Sequence, residues 1–168
     1  MKLDKLTLDY VAAEDRVLLR AQDTDGRVVA FWLTLRMSRA LQKFLVEHLE
    51  NQTPKLASTD HEVLQTFRQT SALMKLGATE AVQDAASEPV LLTTLDLQRQ
   101  PNGVVVQLPL ASGGTADLTL DSVQLRQYLH ILRRMFLRAE WPLDGWPAWM
   151  GEAAAEATGA GDSARALH

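Results

Sequence analysis

The chain has 168 residues, 46% of them hydrophobic and 23% charged, with a net charge of −4 and no cysteine. That is one domain's worth of an ordinary soluble composition. It excludes disulfides, thiolate metal sites and cysteine nucleophiles, points to a reducing, cytoplasmic setting, and argues against indiscriminate binding of nucleic acid.

Residues 2–12 alternate, with Leu6, Leu8 and Tyr10 on one side and Lys5, Thr7 and Asp9 on the other. This period of two marks a half-buried strand, and it is not the apolar run of a secretory signal. Residues 16–22 and 27–33 read as two more strands, joined by a hairpin turn at Asp23-Thr24-Asp25-Gly26 in which Gly26 takes positive φ. Thr34 then N-caps a helix over 35–50 whose apolar stripe is Leu41, Phe44, Leu45, His48 and Leu49. A second helix is expected near 60–76. It opens on the capping box Thr59-Asp60-His61-Glu62 and packs through Val63, Leu64, Phe67, Leu73 and Met74. Residues 77–87 read as a mobile link.

The second half repeats the first. Strands are expected at 89–98, 104–108 and 115–120, with turns at Asn102-Gly103 and Gly113-Gly114. Asp121 N-caps a helix over 122–140, and Gln124 completes a capping box. Subtracting 87 places Leu95 on Leu8, Val104 on Val17, Gly113 on Gly26, Leu120 on Leu33 and the cap Asp121 on the cap Thr34. Identity is slight, but strand parity, turn glycine, cap and helical face agree without a gap from residue 8 to 45. Slipping one residue would turn every strand over.

The expected fold class is therefore α+β. Two β-β-β-α units (2–50 and 88–140), related by a pseudo-twofold axis, are separated by the helical insert 51–87 within a single domain, 1–150. They join edge to edge as one six-stranded sheet with both helices on one face, or face each other as two layers. Residues 151–168 are small and polar and read as a disordered tail.

Chemistry is harder to find. His48, His61, His130 and His168 show no metal-ligand spacing, and His48 lies on an apolar helix face. The pair Asp23 and Asp25 lacks the remaining ligands of a calcium loop. There is no nucleophile elbow and no phosphate loop, so no catalytic, cofactor or metal residue is assigned. No apolar run is long enough for a membrane span.

Two features remain as candidate partner-binding surfaces. Arg36, Arg39 and Lys43 on the first long helix, and Arg126, His130, Arg133, Arg134 and Arg138 on the last, form basic helix faces. These are ordinary solvated faces or a surface for an acidic partner. Trp141, Trp146 and Trp149 fall within nine residues and either cover an open edge of the core or form an exposed docking segment.

The reading that follows is a non-catalytic interaction, adaptor or chaperone-like module with an unknown protein partner, a homodimer included. Duplicated strand-rich units ending in a bracing helix also resemble the plan of whirly and PC4-like proteins. That resemblance implies single-strand nucleic-acid binding, against which the acidic charge counts. An enzyme assembled from scattered groups such as His48 and His130 is the third reading.

Overall fold

The computed structural model describes residues 1–53, 57–77 and 80–151. Three strands, β1 (Lys2–Val11), β2 (Arg16–Asp23) and β3 (Val28–Leu33), lead into α1 (Leu35–Asn51), and α2 (Ser58–Met74) follows. A two-residue β4 (Val90–Leu91) precedes β5 (Asp96–Gln100), β6 (Gly103–Pro109) and β7 (Thr115–Asp121), and α3 (Ser122–Arg138) follows, with a short helical turn after it at 148–151. The fold is α+β, as expected, with one sheet of seven strands in the order β4-β3-β2-β1-β7-β6-β5.

The two meanders do meet edge to edge. β1 and β7 pair in parallel, Lys2 against Asp117 and Leu3 against Leu118. The chain start is fixed there, since the Met1 ammonium donates to the Thr115 carbonyl at 2.9 Å and the Met1 carbonyl accepts from the Asp117 N–H at 2.7 Å. The strand expected over 89–98 divides in two. Val90 and Leu91 pair in parallel with Phe31 and Trp32, while Asp96–Gln100 pairs with β6.

That division fixes the shape. β4 and β5 lie at opposite ends of the sheet, about 29 Å apart were it flat at ~4.8 Å per strand. Leu91 and Asp96 are joined by five residue steps, about 18 Å at most. The sheet therefore curls until its edges approach each other. On the buried face, Val17, Leu19, Phe31, Leu33, Val106, Leu108, Leu118 and Leu120 form one core with Leu45 and Leu49 of α1 and Leu125, Leu129 and Phe136 of α3.

Local chemistry explains most of the framework. Gly26 and Gly113 both take positive φ, at 85° and 87°. The Asp121 carboxylate accepts from the N–H groups of Val123 and Gln124, both at 2.8 Å, and Gln124 reciprocates to complete the capping box. The Asp23 carboxylate is consumed by its own turn and is not free to hold a calcium ion. It accepts from the Arg27 and Asp25 N–H groups and from the Arg27 guanidinium. Burial alone would raise its pKa, but these donors outweigh burial and hold it below the ordinary carboxylate value.

Three expectations are corrected. The turn at 100–103 is centred on Pro101 and Asn102, and Gly103 is already the first residue of β6. Part of the link 77–87 is laid on the sheet: Val82 is buried and its N–H donates to the Thr7 hydroxyl at 2.9 Å, while Asp84 pairs with Arg20 at 2.6 Å. The capping box at Thr59 does not form. α2 begins two residues earlier, after Ala57, without a side-chain cap. Residues 78, 79 and 152–168, the last holding nearly all of the expected tail, lie outside the described residues.

His48 is buried in the core side of α1, and its Nε2 has no hydrogen-bond partner among the described residues. Burial, followed by the positive charge of Arg99, lowers its pKa. A histidine with a depressed folded pKa contributes its full stability above the unfolded value of about 6.5, and that contribution is lost as pH falls below it. Urea midpoints should therefore drop between pH 7.5 and 5.5. His48→Leu should flatten that drop, with the remainder due to His130, whose pKa is lowered by burial, Arg134 and Arg133.

Candidate functional site

α2 is built the wrong way round for a helix that packs through its apolar side. The expected packing residues Val63, Phe67 and Met74 are 65%, 69% and 75% exposed. The buried face is Gln65, Gln69 and Ala72. Leu64 and Leu73 are half-buried. At ~100° per residue the three exposed side chains lie within about 40° of one another, so they form a single stripe along the outside of the helix.

Polar bonds hold the inner side. The Gln65 amide donates to the Thr53 hydroxyl at 2.9 Å and its carbonyl oxygen accepts from Arg126 Nη2 at 2.5 Å. Gln69 donates to the Arg126 backbone carbonyl at 3.0 Å, and Gln127 of α3 donates to the Ala72 carbonyl at 2.9 Å. Arg68 also reaches the Thr53 hydroxyl, at 3.2 Å. Thr53 itself donates to the Leu49 carbonyl, closing the end of α1. Such a network fixes position and register at a modest net stabilisation per bond, but each buried member must be satisfied.

Arg126 is the centre of this network and the main surprise among the candidate residues. The sequence puts it on a solvated basic face. In the structure it is 4% exposed, roofed by α2, with its guanidinium 5.3 Å from the Trp149 ring. Burial, then the neighbouring charge of Arg68, lowers its pKa to about 10. Among the described residues no carboxylate lies within ion-pair distance of it.

The other basic residues are divided between α1 and α3. Arg39 pairs with Asp144 at 2.7 Å. Arg36 borders a cleft that also holds Glu14 and Asp15. Lys43, Arg134 and Arg138 are exposed, while His130 and Arg133 are half-buried.

The tryptophans fold back, as cover. Trp141 and Trp149 are buried and Trp146 is half-buried. Trp141 donates from Nε1 to Asp15 at 3.0 Å and meets Tyr10 and Phe136 edge to face. They are not an exposed docking segment.

Between α2, the end of α1, the β5–β6 turn and the start of α3 lies a groove of about 650 Å³. Phe67, Leu49 and Val123 supply its apolar wall, and Arg68, Lys75 and Arg126 its charge. Sequence patterning missed Gln52, Thr53, Gln65, Arg68, Gln69 and Lys75. Nothing local in the sequence distinguishes a glutamine that bonds a distant arginine from one that faces water.

No protein-family profile, curated protein or solved structure matches the chain. Among the described residues no group of histidines and acids is arranged to hold a metal ion, and no helix is long and apolar enough to cross a membrane.

Proposed function

We propose that this protein is a non-catalytic interaction module of the adaptor or chaperone-like kind, that α2 is its docking element, and that the occupant is the α2 of a second copy. The observation that carries this is the outward stripe Val63, Phe67 and Met74 on a helix held from behind by glutamines. Full burial of each such side chain stabilises by about 1.5–3 kcal/mol, a term left unused in the free chain.

Self-pairing is favoured by charge. The exposed side of α2 is acidic at its start (Asp60, Glu62) and basic at its end (Lys75). An antiparallel pair pivoting between Arg68 and Gln69 sets Val63 of one copy opposite Met74 of the other. It also brings Asp60 to the flank that carries Lys75 of the other. A parallel pair would stack like charges.

Sedimentation equilibrium tests this directly. The native chain is expected to be dimeric at ~50 µM, and Phe67→Asp, at a side chain already exposed, should give a folded monomer with native circular dichroism, its unfolding midpoint lowered only by the loss of dimer linkage. A native chain that is monomeric at ~50 µM, or a dimer indifferent to Phe67→Asp, would sink the proposal and leave α2 to a different partner.

We also infer that the two β-β-β-α units are related by duplication, through a pseudo-twofold axis running along the strands. Adding 87 to the bounds of α1 returns those of α3. The same shift turns the parallel pair Leu3–Leu118 into Val90–Phe31, which is also a parallel pair. The single-strand nucleic-acid reading has less support, because residues 80–84 cross the outer face of the sheet and Asp9 and Asp84 pair with its Arg20.

A further inference from the structure

Arg126 poses a physical question that the interaction reading does not answer. Removing a guanidinium from water is costly unless an anion or a full set of acceptors replaces the lost hydration. Here the acceptors are Gln65 Oε1 at 2.5 Å and, at a long 3.5 Å, the Gln65 carbonyl. The Trp149 ring covers another side. Arg68 is close enough to oppose the charge rather than relieve it. The side chain nevertheless lines the groove described above, together with Arg68 and Lys75.

The groove's other polar lining is Gln52, Ser71, Asn102 and Ser122, and among the described residues no aspartate or glutamate lines it. In a chain with a net charge of −4, three cations converge on a concave space without an acid among them. The start of α3 is not what attracts an anion there, because Asp121 already occupies the N–H groups of Val123 and Gln124. About 650 Å³ falls within the range of small-molecule sites, which typically reach ~300–1,000 Å³.

We propose that this groove binds a small multivalent oxyanion, an organic phosphate or a polycarboxylate, with Arg126 at its floor, Arg68 and Lys75 at its rim, and the apolar part of the ligand against Phe67, Leu49 and Val123. A guanidinium offers its fork of N–H donors to two oxygens of such a group, and the flexible lysine follows as a point charge. Asn102 adds a neutral donor beside it, while Gln52 already donates to the Pro101 carbonyl and accepts from the Ser122 hydroxyl. Phe67 and Lys75 also belong to the proposed α2 pair, so the inference rests on that pair leaving the groove open, and sedimentation of the probe-saturated chain separates the two: a monomer that binds the probe refutes only the pairing.

The test is calorimetric titration of the full chain with two probes, sodium pyrophosphate and sodium citrate, at ~20 mM and ~300 mM salt. Saturable binding of one equivalent per chain is expected at low salt, weakening at high salt as surface charge is screened. Preference for pyrophosphate identifies a phosphate site and preference for citrate a carboxylate site. Arg68→Ala combined with Lys75→Ala leaves the bond between Arg126 and Gln65 in place. It should keep the native circular dichroism and weaken binding at least about ten-fold, or ~1.4 kcal/mol. No saturable heat with either probe, or equal affinity in the double variant, would overturn the proposal.

Discussion

Gln65→Leu is expected to destabilise the protein by about 3 kcal/mol, although leucine is the more apolar residue and the site is fully buried. The change removes the best acceptor of the Arg126 guanidinium and the donor to the Thr53 hydroxyl in one step. Hydrogen bonds to charged groups are worth about 1.5–3 kcal/mol, and a buried charge left without its partner adds a desolvation cost. The informative measurement is a double-mutant cycle. Gln65→Leu with Arg126→Met replaces both polar partners by side chains of similar volume, so its cost in urea unfolding should fall below ~1.5 kcal/mol. Additive losses in the cycle would mean that the two residues do not act as a pair.

Gly103→Ala should be comparably severe, at about 3 kcal/mol or more, for a steric reason unconnected with turns. A Cβ at Gly103 would stand 2.1 Å from the Leu120 carbonyl oxygen and 3.0 Å from the Asp121 Cα. Both are backbone atoms of the neighbouring strand, and Gly103 is paired with Asp121 in the ladder. Neither can step aside without prising β6 from β7 beside the N-cap of α3. A methyl group at Gly113 meets nothing within 4 Å, so Gly113→Ala carries only the milder strain of its positive φ. Thermal melts of the two variants should therefore differ widely. Similar melting temperatures would show that the β6–β7 contact yields more easily than its geometry suggests.

The contrast between these glycines shows what sequence conveys. Asn102-Gly103 is a strong turn signal, and a turn does occur there. The need for glycine, however, comes from the approach of Leu120, which is 17 residues away. Strands, α1 and α3 and their caps are legible because they rest on near neighbours: alternation, the stripe of Leu41, Leu45 and Leu49, and the Asp121–Gln124 box. The parallel joins were not, because Leu3 against Leu118 and Val90 against Phe31 are decided across the whole chain.

α2 was misread for the same reason. An apolar stripe on a helix is assigned to the core by default, and Val63, Phe67 and Met74 form one. What seats the helix instead is a set of glutamines matched to Arg126 and Thr53 on other elements. The basic face read on α3 loses Arg126 to that network and retains Arg134 and Arg138, which are exposed. Of the two roles open to the tryptophan segment the structure shows cover, since an exposed core edge beside three tryptophans needs it.

The function of this chain is decided by which way α2 faces and what it meets there. Because the native chain has no cysteine, one introduced thiol is the only thiol present. Thr70→Cys and Thr59→Cys, each treated with a short (~8 Å) bis-maleimide, give the most direct measurement. In the antiparallel pair the two copies of residue 70 are offset by about 4.5 Å along the helices and those of residue 59 by about 28 Å, at 1.5 Å per residue. Efficient coupling at 70 with none at 59 is the predicted result. Coupling at both positions, or at neither, would contradict it.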